Sequence, residues 1–231
     1  MFPVAPWLTR RDELNVMEEE FDELCRRHEK GAGDDAWEAE ETVIREQAEA
    51  EDAMEAELTG RVGPEWLEPA EGCGHDHSHE GHDHGHFPET PLIEALRRDL
   101  DRDPAYQQAL TWAAAAYRWS RSQYARERHP HLFRASVNAC LVPMKVSYAL
   151  NELMFDDPYS ADVADKEFEL ATTYLSRARV SLAALAAEGM LEGDQVALLE
   201  RAEDVARDIR EARERIARER KFRKNGGAPT V

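Results

Sequence analysis

Along the C-terminal half of the chain, apolar residues recur at helical spacing, and no alternating run of β-branched residues breaks the pattern. The two cleanest stripes keep a seven-residue rhythm. One is Ala164, Phe168, Ala171, Leu175, Ala178, Leu182 and Leu185, and the other is Leu198, Ala202, Val205, Ile209, Ala212 and Ile216. Such stripes pack helix against helix as in a bundle. Gly189 is placed to end the first helix in the left-handed conformation, and Asp194 to cap the second, so the two are expected to form an antiparallel hairpin.

Upstream, a helix is predicted from Pro130 or His131 to the Asp156, Asp157, Pro158 break. One face carries Phe133, Val137, Cys140, Met144, Tyr148 and Phe155, and another carries Val142, Val146, Leu150 and Leu153. Two apolar faces mark a central helix, with Arg134, Asn138, Lys145 and Glu152 on the narrow strip that remains. Pro143 is expected to bend it. Before it, Asp103 and Pro104 open a helix to about Arg128, with a stripe of Tyr106, Leu110, Ala113, Tyr117 and Tyr124. A short helix from Pro91 through Leu100 precedes that one. The predicted fold class is all-α: an up-and-down helical bundle over 91–224, with four long helices plus one short, and a disordered tail over 225–231.

The N-terminal third is thinner in apolar residues. Leu14, Met17, Phe21, Leu24 and His28 form one stripe between Arg11 and Lys30. After Gly31, Ala32 and Gly33, an Ala/Glu-rich helix runs to about Leu58, anchored by Trp37, Val43, Ile44, Met54 and Leu58. This acidic hairpin, 1–63, buries too little surface to stand alone, so it must dock on the bundle, pair with another chain or stay partly mobile. Residues 64–90, opening with Pro64 and Pro69, read as a flexible, disordered linker.

Charge sharpens the division. The net charge is −19. Residues 1–71 hold 22 acids against 7 bases, or −15, whereas residues 89–231 hold 23 against 22, or −1. An acidic arm is thus joined to a near-neutral domain. The overall field argues against nucleic acid or an anionic membrane as a partner. No window approaches the run of about 20 apolar residues that crosses a bilayer. In MFPVAPWLTRRDEL the basic pair follows the apolar run, the reverse of a secretory signal, so the expected location is cytoplasmic. Cys25, Cys73 and Cys140 are too scattered for a disulfide framework, and reduced thiols are expected.

The linker carries the densest chemistry. CGHDHSHEGHDHGH, Cys73 to His86, holds two copies of a His-Asp-His-x-His unit: His75, Asp76, His77, Ser78, His79 and His82, Asp83, His84, Gly85, His86. Neutral imidazole is the commonest protein ligand of divalent transition ions, and four donors complete a tetrahedral zinc shell. In extended chain alternate residues share a side, so His75, His77 and His79 can face one ion, with glycines letting the backbone curl around it. The second unit can complete that shell or hold a second ion. Asp76 and Asp83 can ligate or orient an imidazole, and Cys73 adds affinity for softer ions. Zinc or nickel is the expected metal, with cobalt or copper as alternatives. The segment resembles the His-rich loops of zinc transporters and the metal-storing tails of nickel-enzyme chaperones, a resemblance confined to this low-complexity stretch.

Other constellations are sparser. Cys25 and His28 share a helix face at i, i+3, a spacing that admits a metal but more simply places them at the edge of an interface. His129 and His131 flank Pro130 at a helix start, where a capping role is ordinary. With Arg126, His131 makes Arg-x4-His, which resembles the short motif of the HEPN family of helical-bundle nucleases. That resemblance implies Arg126 and His131 as a polar pair acting on a phosphodiester, with Pro130 a departure from the pattern. No Glu-x-x-His pair, phosphate-binding loop, nucleophile elbow or Cys-x-x-Cys occurs, which leaves enzyme readings little to stand on. The run Arg215 to Lys224, with Arg218, Arg220, Lys221 and Arg223, reads as a solvated helix end or as a docking point for an acidic partner, the acidic arm being nearest. The expected function is a non-enzymatic, metal-binding accessory protein that stores, delivers or senses ions. A helical adaptor with an incidental linker is the alternative. A protein partner is expected through the acidic hairpin or the basic helix end.

Overall fold

A computed structural model describes residues 35–63, 100–153 and 159–224 of the chain. They form five α-helices: α1 (Asp35–Val62), α2 (Pro104–Tyr124), α3 (Pro130–Glu152), α4 (Ser160–Ala187) and α5 (Ala197–Lys224). A 3₁₀ turn over Gly193–Val196 leads into α5, and no strand occurs among the described residues. The all-α expectation holds, and α2 to α5 are the four long helices of the bundle.

Local chemistry sets the helix ends. Asp103 sits in extended backbone and its Oδ1 accepts from the Ala105 N–H at 2.9 Å, while Pro104 occupies the first turn, where a missing N–H costs nothing. The α2 helix stops at Tyr124 rather than near Arg128. Pro130 pushes the residue before it out of helical backbone, and His129 is extended at φ −110°, ψ 131°, so residues 125–129 are used to turn the chain. Gly189 ends α4 as expected, at φ +74°. Its N–H reaches the Ala186 carbonyl at 3.1 Å and the Met190 N–H reaches Leu185 at 2.9 Å, the paired bonds of a Schellman motif. Asp194 is not the N-cap of α5. It lies inside the exposed 3₁₀ turn, because left-handed Gly193 (φ +57°) starts a tighter coil one turn earlier.

The bundle runs up and down. Asp103 at the start of α2 pairs with Arg215 near the end of α5 at 2.5 Å, and the Trp112 Nε1–H donates to the Leu198 carbonyl at 2.9 Å. Arg213 of α5 pairs with Asp165 of α4, while Glu203 pairs with Arg179, so α4 and α5 are antiparallel as well. Every residue of both seven-residue stripes, from Ala164 to Leu185 and from Leu198 to Ile216, is buried. Trp112, Tyr174, Phe168, Leu132 and Leu182 fill the centre.

The central role of α3 also holds: from Leu132 to Ser147, every residue but Arg134 is buried. The helix continues through Pro143. Two details differ from the sequence pattern. Tyr148 is an exposed residue rather than a core one, its ring 5.3 Å from the Lys145 ammonium. Asn138 and Lys145, on the supposedly free strip, are buried. The helix that covers them is α1. Of the predicted first hairpin helix, the 91–100 helix and the 225–231 tail, only Leu100 is among the described residues.

Candidate functional site

The predicted metal donors, Cys73, His75, Asp76, His77, His79, His82, Asp83, His84 and His86, lie outside the described residues, as do Cys25 and His28. Among the described residues no group of three or more His, Cys, Asp or Glu side chains is arranged to hold an ion. Cys140 is buried and outside any disulfide.

What the described residues do assemble is a polar seam where α1 lies on α3 and α4. Helix α1 is rich in Ala and Glu, strong helix formers, and it presents Val43, Gln47, Ala50, Met54 and Leu58 along one face. Val43 and Leu58 are buried outright; Ile44, Ala50 and Met54 pack against the core from partly buried positions. Burying a side chain of this size contributes about 1.5–3 kcal/mol. Between these anchors the contacts are hydrogen bonds and ion pairs.

At one end Gln47 is fully used. Its amide donates to Asn138 Oδ1 at 3.1 Å and accepts from Arg177 at 3.1 Å. Asn138 in turn donates to the Arg134 carbonyl at 2.8 Å, Arg177 also donates to the Glu46 carbonyl at 3.1 Å, and Arg134 pairs with the Glu46 carboxylate. A buried amide chain of this kind is stable only when every member finds a partner.

In the middle, Lys145 stands between two carboxylates, 2.9 Å from Glu51 and 3.1 Å from Glu167. The other Glu51 oxygen accepts from the Tyr174 hydroxyl at 2.6 Å. Burial, together with the bond to Glu51, pushes the Tyr174 hydroxyl far above its ordinary value and keeps it a donor. Burial also raises the Glu167 carboxyl above the usual range, with Glu51 and Glu152 adding to the rise and Lys145 opposing it. The Glu167 oxygen nearest Lys145 lacks a hydrogen bond of good geometry, and the attraction of Lys145 offsets only part of its desolvation.

At the far end Lys166 bridges Glu57 of α1 and Glu169 of α4, at 2.5 and 2.6 Å. Burial opposes the Lys166 charge, but the two carboxylates outweigh it and raise its value. Glu169 goes the other way from Glu167. Burial works against its charge, yet hydrogen bonds from Lys166 and Arg213 hold it below the ordinary carboxylate range. Arg61 then reaches Asp162 in the first turn of α4 at 3.5 Å. These pairings make α1 parallel to α3 and antiparallel to α4.

Among the described residues, the acidic helix α1 therefore meets basic residues of α3 and α4. Arg215 is engaged with Asp103 and Arg218 with Glu214 of its own helix. The pattern on α1 carried a signal for this docking. Counting Gln47 and Ala50 with Val43, Met54 and Leu58 completes a stripe at spacings of four, three, four and four.

His129 is the N-cap of α3, its Nδ1 accepting from the His131 N–H at 3.3 Å while Nε2 lies 3.1 Å from Glu188. Arg126 lies in the exposed turn before it, and no hydrogen bond joins Arg126 to His131, whose ring contact is with His129 at 5.6 Å. No described helix is long and apolar enough to cross a membrane. No family model, curated protein or solved structure matches this chain.

Proposed function

We propose that this chain is a metal-binding accessory protein in the cytoplasm, which handles divalent transition ions, zinc or nickel first, through the His-rich segment from Cys73 to His86. The observation that carries the reading is the donor set itself: six imidazoles, a thiol and interleaved carboxylates within fourteen residues. The helices support it by where they begin and end. Helix α1 finishes beside Asp162, and α2 starts near Asp103, tied to Arg215 next to the Arg213–Asp165 pair, so the described helices before and after residues 64–99 end and begin at the same end of the bundle. A low-complexity run with more donors than one ion needs suits storage, delivery or sensing better than catalysis, which needs an open coordination position held rigidly.

The test is titration of zinc and nickel into the wild-type chain and a variant with all six segment histidines replaced by alanine. The wild type binds tightly and loses affinity as the pH falls through about 6.5, where imidazoles protonate. Equally weak, millimolar binding by both proteins overturns the reading. The polar docking of α1 favours a second reading, a helical adaptor, in which a protein partner binds with or without metal.

A further inference from the structure

We propose that the face formed by α3 and α4 is a docking site for an acidic amphipathic helix supplied by a partner protein, and that α1 is its resident, exchangeable occupant. This inference is independent of the metal-binding reading.

The face has a specific chemistry. Arg134, Lys145, Lys166 and Arg177 project toward α1 and meet Glu46, Glu51, Glu57 and the Glu46 and Gln47 backbone and amide oxygens. Across the contact the cations, apart from Arg61, which points from α1 to Asp162, belong to the bundle, and the α1 carboxylates share Lys145 and Lys166 with Glu167 and Glu169 of α4. Two buried apolar side chains of α1, Val43 and Leu58, flank this polar middle fifteen residues apart. A partner helix that fits must carry apolar residues at that separation and acids at the intervening positions of one face.

The face is also built to survive exposure. Where α4 meets α5 the facing stripes are wholly apolar, so separating them exposes only hydrocarbon. Beneath α1 the bundle presents Asn138, Lys145, Tyr174 and Arg177, each of which water can solvate once the helix leaves. Thirty-six residues separate Gly63 from Leu100, a length of chain that exceeds what is needed to join the neighbouring ends of α1 and α2.

The test uses the full chain with Glu51→Lys and Glu57→Lys, which set lysines against Lys145 and Lys166 and loosen α1 without altering the bundle. The probe is a fluorescent peptide of residues 35–62, followed by anisotropy, with a control peptide carrying the same two substitutions. The wild-type peptide is expected to bind the loosened chain at least about tenfold more tightly than it binds the wild-type chain, whose face is occupied. The control peptide is expected not to bind. Hydrogen exchange should rise over 35–62 while α2 to α5 keep their protection. The proposal is overturned by failure of the wild-type peptide to bind the loosened chain, or by equal binding of both peptides. Loss of protection across α2 to α5 together with α1 also overturns it, since α1 would then be an integral part of the core. Self-association of the wild-type chain in sedimentation that vanishes on loosening would assign the face to a second copy and overturn the partner.

Discussion

The α4–α5 interface and the seam that seats α1 on α3 and α4 both pack helices within one molecule, yet they are held together by opposite means. The first buries an unbroken apolar stripe on each helix, with ion pairs such as Arg179–Glu203 and Arg213–Asp165 at its edges. The second reverses the layout, with Lys145, Asn138 and Gln47 buried in the middle and Val43 and Leu58 toward the ends. Apolar burial is non-directional and adds up with area, whereas a buried polar contact returns little beyond its desolvation and matters chiefly for register. The bundle thus supplies stability, and the seam supplies a fixed address for α1.

The contrast can be broken from its strong side first. Phe168→Ala removes a fully buried ring from the bundle centre and should cost about 3–5 kcal/mol, read as a lower midpoint in urea with all helices melting together. Leu58→Ala, equally buried but on α1, should cost about 2–3 kcal/mol. Its signature differs in kind: hydrogen exchange accelerates over 35–62 and leaves α2 to α5 as they were. A single cooperative loss in both variants would show that the two regions are one unit.

The smallest effect sharpens the electrostatic half of the comparison. The Glu167 carboxyl is raised in the folded chain, so the native state holds its proton more firmly than the unfolded state does. Its contribution to stability is therefore complete below the ordinary value of about 4.5 and is lost as the pH rises through the folded value. Glu167→Gln removes that loss. The variant should match the wild type near pH 4 and exceed it by on the order of 1 kcal/mol at pH 7, measured by urea unfolding at both pH values. A variant less stable at pH 7 would mean that the Lys145 pair outweighs the desolvation.

These differences explain what could be read from the chain. The stripes of α4 and α5 repeat one residue class at one spacing, so Phe168 and Ile209 announce their burial without reference to a partner. Asp103 and Gly189 were legible for a related reason: a cap acts within two or three residues of itself. The seam is different. Asn138 and Lys145 look solvated on α3 because the residues that satisfy them, Gln47 and Glu51, lie 91 and 94 positions away. The true stripe on α1 passes through Gln47, which no apolar pattern counts. At the other extreme, the metal-binding role proposed for the segment from Cys73 to His86 rests on composition alone, and its residues lie outside those described.

Because α1 runs alongside α3 in the same direction and α2 runs back, the chain leaves α1 and enters α2 at the same end of the bundle. The stretch between them has no distance to bridge along the bundle axis. Its closure entropy grows only with the logarithm of its length, about 0.6 kcal/mol for each doubling. Lengthening that stretch therefore adds little closure cost to the fold of the described helices, so donor residues can accumulate there by insertion at small entropic expense.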